Sequence, residues 1–438
     1  MTDYFARHAL LPNGVACDVR FEVADGRFTA ITTGSEPEGA TVLPGLVAPG
    51  FANGHSHAFH RALRGRTHAG GGTFWTWRTG MYALANRLDP DSYLALARAT
   101  YAEMVLAGYT AVGEFHYLHH QPGGRPYDEP NLMAEALRRA AAEAGIRLTL
   151  LDTCYLAGGL GSAGYLPLAE EQLRFGDGTV DAWAERVTAL GESDGMLVGA
   201  AIHSVRAVPP EALSAVRVVA GERPLHLHLS EQPAENKAAL AHFGCTPSEL
   251  LGSHGVLGRT TTAVHATHLG PHDLELLGSS GTTACLCPTT ERDLADGIGP
   301  ARALADAGAP LAIGSDQQVS IDPFEEARGI ESHERLSSLQ RGRFSPSELL
   351  VAMTAHGSLG WTDAGRLEVD ARADLVAVRT DSVRTAGASP DQVLLAASAA
   401  DVDTVIIDGT EIVRDRQHRL GDVGRLLADA ISPLWSDA

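Results

Sequence analysis

The stretch Pro49-Gly50-Phe51-Ala52-Asn53-Gly54-His55-Ser56-His57 decides the reading of this chain. Its apolar start predicts a strand. Successive strand residues alternate faces, so His55 and His57 project to one side, while Asn53 and Gly54 permit a sharp arrival. Two imidazoles aimed at one point suggest a metal. Further ligands would have to come from distant strands. The chain offers His226-Leu227-His228-Leu229-Ser230-Glu231, then Val264-His265, then Gly314-Ser315-Asp316, each at the end of a short apolar run.

Outward from this stretch, Tyr93, Leu96, Ala97, Tyr101 and Met104 recur at helical spacing up to Gly108, and an apolar strand follows from Tyr109 to Gly113. The same helix-then-strand unit repeats as far as Leu311 to Ile313, and with the strand before His55 it makes eight. Helices alternating with short strands buried on both faces predict a parallel sheet. Eight units with polar strand ends predict a closed (β/α)8 TIM-like barrel over residues 48–362. An open doubly wound sheet would want a Gly-x-Gly-x-x-Gly after its first strand, and that motif is missing there. Residues 1–47 and 363–438 read as short strands with turns at Pro12-Asn13-Gly14, Asp25-Gly26 and Asp408-Gly409. They predict a small β-sandwich domain formed by both termini.

The 438 residues, 44% of them hydrophobic, can bury a large core. No apolar run approaches the roughly 18 residues of a membrane span, and the first residues lack a basic segment followed by an apolar one. A cytoplasmic enzyme is the expectation. Five irregularly spaced cysteines argue for reduced thiols, with Cys285 and Cys287 read as core packing. A net charge of -20 disfavours nucleic acid and anionic membranes as partners, so an anionic substrate must meet local arginines. Lys237 is the only lysine. Two-metal barrel hydrolases often bridge their ions with a carboxylated lysine at a strand end, and Lys237 lies beyond any assignable strand, so one metal is the simpler reading.

Metal-assisted hydrolysis needs ligands that leave a coordination position open for water. His55, His57, His228 and Asp316 meet that need from three strands. The chain holds 19 histidines, and most of the others, among them His68, His119, His120, His356 and His418, fall in helices, loops or termini and read as ordinary. Glu231, three residues after His228, stands where a proton shuttle would face the activated water, although a glutamate opening a helix is often placed there only by the helix dipole. His265 is placed to stabilise developing charge, and His268 to play a structural part. Asp316 can both ligate and accept a proton.

The order Pro-Gly-Phe-x-Asn-Gly-His-x-His, His-x-x-Glu, His, Gly-Ser-Asp, with Ala373-Asp374-Leu375-Val376 in the tail, resembles the deaminase branch of the amidohydrolase superfamily over nearly the whole chain. The resemblance implies one divalent metal ion, usually zinc, and hydrolysis at a C=N carbon with loss of ammonia. Within that branch several strings look like the N-formimino-L-glutamate iminohydrolases of histidine degradation. They are His55 to Ala62, Phe74-Trp75-Thr76-Trp77-Arg78, Gly113 to His119, His203 to Val208, and Cys287-Pro288-Thr289-Thr290-Glu291. By that resemblance Arg78, Tyr117, His203 and Arg206 contact a small dicarboxylate substrate, and the assembly is a homodimer. Forked guanidinium groups suit two carboxylates. Taken without the resemblance, Arg78 reads as a surface arginine and Arg206 as part of a salt bridge. The chain departs from the family at His60, where glutamine is expected, and at Asp293, where asparagine is expected. His60 therefore joins the candidate substrate contacts. The alternative within the same superfamily is a deaminase of a purine, pyrimidine or triazine ring. Gly70-Gly71-Gly72 before Thr73-Phe74-Trp75 reads as a hinge for a closing loop, although three glycines are more often a plain flexible loop.

Overall fold

The computed structural model describes residues 2–68, 74–161 and 163–436, without the side chains of Phe74 and Trp75. The Gly70-Gly71-Gly72 hinge expected from the sequence lies outside these residues. Eight parallel strands run in chain order around one sheet. They are β1 (Phe51–Ser56), β2 (Tyr109–His116), β3 (Arg147–Cys154), β4 (Met196–Ile202), β5 (Leu225–Leu229), β6 (Thr261–His265), β7 (Thr283–Leu286) and β8 (Leu311–Ile313). A parallel bridge between Ser56 and Asp316 closes the cylinder. There the His57 amide donates to the Asp316 carbonyl and the Asp316 amide to the His55 carbonyl, both at 3.0 Å.

The sequence dictates this closure through small and polar residues. A Cβ on Gly54 would lie 3.0 Å from both the Cys285 sulfur and the Ile313 carbonyl oxygen, and one on Gly314 would lie 2.8 Å from the His55 Cβ. Only glycine lets β1 and β8 approach so closely. Asn53 then ties the seam: its Nδ2 donates to the Ser315 hydroxyl at 2.6 Å and its Oδ1 accepts from the Ser315 amide at 3.0 Å. Beneath the seam Val264, Cys285, Cys287 and Ala312 form a small apolar cluster, and all five cysteines are free thiols.

Helices cover the barrel outside. The helix Pro90–Leu106 starts with an Asp89 cap and reciprocal Ser92 hydrogen bonds, which satisfies amides that would otherwise lack partners. Lys237 is exposed on the helix Pro233–Phe243, away from the strand ends. Among the described residues no helix is long and apolar enough to cross a membrane.

Strands from both termini form a second eight-stranded sheet, with Thr41–Pro49 between Thr2–Leu11 and Leu375–Val378. This sheet curls on itself. The Phe28 amide donates to Ala371 and the Ala373 amide to Gly26, which draws the Asp25-Gly26 turn against the Asp408-Gly409 turn from the other end of the sheet. Phe21, Phe28, Val47, Leu375 and Ile406 share the core enclosed between the two halves.

Candidate active site

The site lies at the C-terminal ends of the barrel strands, where parallel strands of a barrel point their polar terminal residues at one another. Several of those ends are held in a left-handed backbone that residues other than glycine rarely adopt. Ser230, His265, Ala266, Asp316 and Gln318 all have φ between 41° and 69°. Each such residue costs of order 1–3 kcal/mol, so the surrounding packing must enforce them, and their concentration at one rim marks it as functional.

His55, His57, His228 and Asp316 come together as the sequence pattern requires. His55 Nε2 is 3.2 Å from His228 Nε2 and 3.3 Å from Asp316 Oδ1, and His57 Nε2 is 3.5 Å from the same carboxylate oxygen. Backbone carbonyls orient two of the rings. His57 Nδ1 lies 2.9 Å from the Phe115 oxygen and His228 Nδ1 lies 2.8 Å from the His203 oxygen. An Nδ1–H donated to each carbonyl leaves the Nε2 lone pair directed inward, the tautomer a metal ligand needs. Burial, reinforced by the neighbouring histidines, holds His55 and His228 well below the ordinary histidine value, so their nitrogens face each other as neutral donors of electron pairs. Such a set fits a divalent cation: nitrogen and carboxylate ligands converge, and the buried His55 Nδ1 has no hydrogen-bond partner among the described residues. His265 is close enough to belong to the same cluster, for His55, His228, His265 and Asp316 could hold one ion together.

Acid and base groups surround that centre. His265 Nε2 lies 3.8 Å from Glu231 and 3.7 Å from Asp316, and its Nδ1 lies 3.6 Å from Glu291. Burial alone would push His265 down, but Glu231, Glu291 and Asp316 together hold it well above the usual value. Burial would raise Asp316, and the cationic His265 foremost brings it below the usual carboxylate range. Glu291 appeared in the sequence only inside a string. Its part is to sit behind His265, fixed by the Cys287 amide at 2.9 Å. Under His55 and His57, the buried Glu114 accepts from the Ser56 hydroxyl and the Ala58 amide, each at 2.7 Å, and holds the turn that follows β1.

A cavity of about 310 Å³ opens onto this centre. His60, Arg78, Tyr117, His203, Arg206 and Glu231 all line it. His60 Nε2 is 3.0 Å from the Tyr117 hydroxyl, and burial drives its value down to about 3, so it serves as a neutral hydrogen-bonding group. Arg78 Nε donates to the Tyr82 hydroxyl at 2.6 Å. The sequence reading passed over Tyr82, Tyr155 and Gln172. Gln172 Nε2 donates to the Tyr155 hydroxyl at 2.8 Å and to the Tyr82 hydroxyl at 3.1 Å, which fixes one wall of the cavity. The second departure, Asp293, lies outside the cavity lining. It receives Gln317 at 2.9 Å and meets His68 at 2.7 Å. His268 is structural, its Nε2 2.8 Å from the Asp296 carbonyl.

The chain belongs to the amidohydrolase family, whose model matches residues 46–412. Residues 1–42 match a narrower model, the N-terminal domain of formimidoylglutamate deiminase HutF. A formimidoylglutamate deiminase from Pseudomonas aeruginosa is 38% identical over 439 residues, covering 95% of this chain and 96% of that protein. An 8-oxoguanine deaminase from the same species is 28% identical, with 87% and 85% covered. Among solved structures, an amidohydrolase from Brucella melitensis superposes with a TM-score of 0.89 at 32% identity, covering 99% of this chain and all, 100%, of that one. Atrazine chlorohydrolase from Arthrobacter aurescens, complexed with zinc, shares the fold with a TM-score of 0.85 at 19% identity and coverage of 99% and 100%.

Proposed function

We propose that this protein hydrolyses N-formimino-L-glutamate to N-formyl-L-glutamate and ammonia. One observation carries the reading: the cavity lined by His57, His228 and Asp316, behind which His55 lies 3.2 Å from His228 and 3.3 Å from Asp316, is also lined by two arginines, Arg78 and Arg206. A ring amine has no carboxylate to set against two guanidinium forks, whereas a dicarboxylate offers one to each. The similarity to the Pseudomonas enzyme along nearly the whole chain supports the same substrate.

His55, His57, His228 and Asp316 would hold one divalent metal, for which we propose zinc. When bound, the ion supplies Lewis acidity that makes water a nucleophile near neutral pH. Asp316 accepts the proton of the attacking water as its oxygen bonds to the formimino carbon. His265, kept cationic by Glu231, Glu291 and Asp316, lends positive charge beside that oxygen. The C=N bond becomes single and the carbon tetrahedral. With the substrate entering as the amidinium, its terminal nitrogen already carries two protons; Glu231 takes the proton of the new hydroxyl and passes it to that nitrogen, the C–N bond breaks with its electron pair leaving on nitrogen as the carbonyl forms, and ammonia departs with the water's other proton left on Asp316. Arg78, Arg206, Tyr117, His203 and His60 hold the substrate. Within the same reading the chain works in the cytoplasm as a homodimer, and the barrel spans residues 48–362.

An ammonia assay tests this directly. Release of ammonia from N-formimino-L-glutamate, with N-formyl-L-glutamate as co-product, is expected. Formamide and glutamate as products, or turnover confined to ring amines, would refute the reading.

A further inference from the structure

Glu235 has no part in the chemistry above, yet it is placed at considerable electrostatic cost. It sits on the first turn of the helix Pro233–Phe243, one turn beyond Glu231. Its side chain is fully buried at 0% exposure, its Oε2 is 3.2 Å from Arg206 Nε, and among the described residues neither carboxylate oxygen has a well-aligned hydrogen-bond donor. A carboxylate that served only the helix dipole could remain in water, as most first-turn glutamates do. A buried carboxylate without aligned donors persists where a neighbouring charge requires it.

The neighbour is Arg206, which lies between two glutamates. Its terminal nitrogen is 3.8 Å from Glu231 Oε2 while its Nε faces Glu235, and all three residues line the same cavity. A guanidinium this close to Glu231 would form a full ion pair with it if nothing pulled the other way. That pair would occupy the arginine edge a substrate carboxylate needs and would tie up the shuttle.

We propose that Glu235 is a positioning residue that anchors Arg206 through its Nε edge. The anchor leaves the terminal nitrogens free for a substrate carboxylate and keeps Glu231 free to carry a proton. Resting on the reading of the cavity as a dicarboxylate site, it assigns the affinity for the substrate in part to a residue that never touches it.

The test is a double-mutant cycle with Glu235→Gln, Arg206→Met and the pair, read both as the Kd for the product N-formyl-L-glutamate by calorimetry and as kcat and KM for ammonia release. Glu235→Gln keeps the shape and removes the charge. It should raise Kd and KM by about tenfold or more, while in the Arg206→Met background the same change should alter either value less than about twofold. If Glu235→Gln does not fold, Glu235→Asp, which holds the charge one methylene further from Arg206, should raise Kd by a smaller factor that likewise disappears beside Arg206→Met. Wild-type affinity in Glu235→Gln, or effects that multiply in the double variant, would overturn the role of Glu235 while leaving the function standing. A wild-type protein that neither binds N-formyl-L-glutamate nor releases ammonia would instead remove the functional reading and this inference with it.

Discussion

The two ends of the barrel bury charge in opposite ways. At the N-terminal end, Arg147 opens β3 and donates to Asp374 at 2.9 Å and to Asp408 at 3.0 Å, with Asp374 also receiving Thr110 at 3.1 Å and the Asp408 amide at 3.1 Å. Arg372 joins Asp408 at 3.0 Å, and both guanidinium groups lie over the Trp361 ring. Opposite charges meet here, so Arg147 rises and Asp374 falls relative to their ordinary values even though burial opposes both shifts. This cluster ties the barrel to the terminal sheet. At the C-terminal end, neutral imidazoles face each other, His265 is hemmed in by carboxylates, and the backbone is strained. One end uses buried charge to hold two units together. The other brings neutral imidazoles together and sets several carboxylates around His265, a disposition expected of a site that binds something else.

That contrast can be broken from either side. The largest effect expected is at the strained end: Glu231→Gln should lower kcat by about 100-fold or more while the thermal midpoint stays nearly unchanged, measured by ammonia release and calorimetric melting. Retention of near-normal turnover would remove Glu231 from the proton path. At the opposite end, Arg147→Met should leave kcat of the folded enzyme intact but cost about 3–5 kcal/mol in urea unfolding, because the buried Asp374 loses its arginine while Asp408 keeps only Arg372 among the described residues. A loss of activity without a loss of stability would blur the division between the two ends.

The smallest effect concerns a histidine outside both clusters. His418 is satisfied as a neutral ring, with Nε2 donating to the Ala144 carbonyl at 3.0 Å and Nδ1 accepting from the Leu420 amide at 3.0 Å. Burial brings its value down to about 4, though the Ala144 carbonyl pulls the other way. Its folded value is lower than its unfolded one, so its contribution is complete above pH 6.5 and is lost as the pH falls toward 4. Urea unfolding should therefore lose stability between pH 7 and pH 4, with a slope that His418→Asn makes shallower. An unchanged slope in the variant would refute this.

Much of this arrangement can be read from the sequence, and the exceptions have physical causes. Thr283–Leu286 and Leu311–Ile313 are bounded as the pattern predicts, because each is a short apolar run between turn residues. The second barrel strand reads from composition as ending at Gly113, yet it continues to His116, since Glu114, Phe115 and His116 keep pairing with Leu150, Leu151 and Asp152. Site residues interrupt the apolar signal at the very point where the strand becomes functional. The helix Pro323–Ser338 carries too many charges to show a clear apolar face, and one of them, Glu326, is buried against the Thr289 amide at 3.0 Å. His55, His57, His228 and Asp316 are legible because each lies at a strand end. Tyr82, Tyr155 and Gln172 are not, because Gln172 reaches the cavity wall from a short helix and meets Tyr82 across 90 residues of chain. No local spacing records a contact of that length.

The central claim is that side chains from three strands hold one cation. The most direct measurement is the metal content of the purified protein beside that of His228→Ala and Asp316→Ala, by elemental analysis with zinc titration. The account predicts one metal ion per chain in the wild type and at least tenfold weaker zinc binding in both variants. Two ions per chain, or unchanged affinity after either substitution, would contradict it.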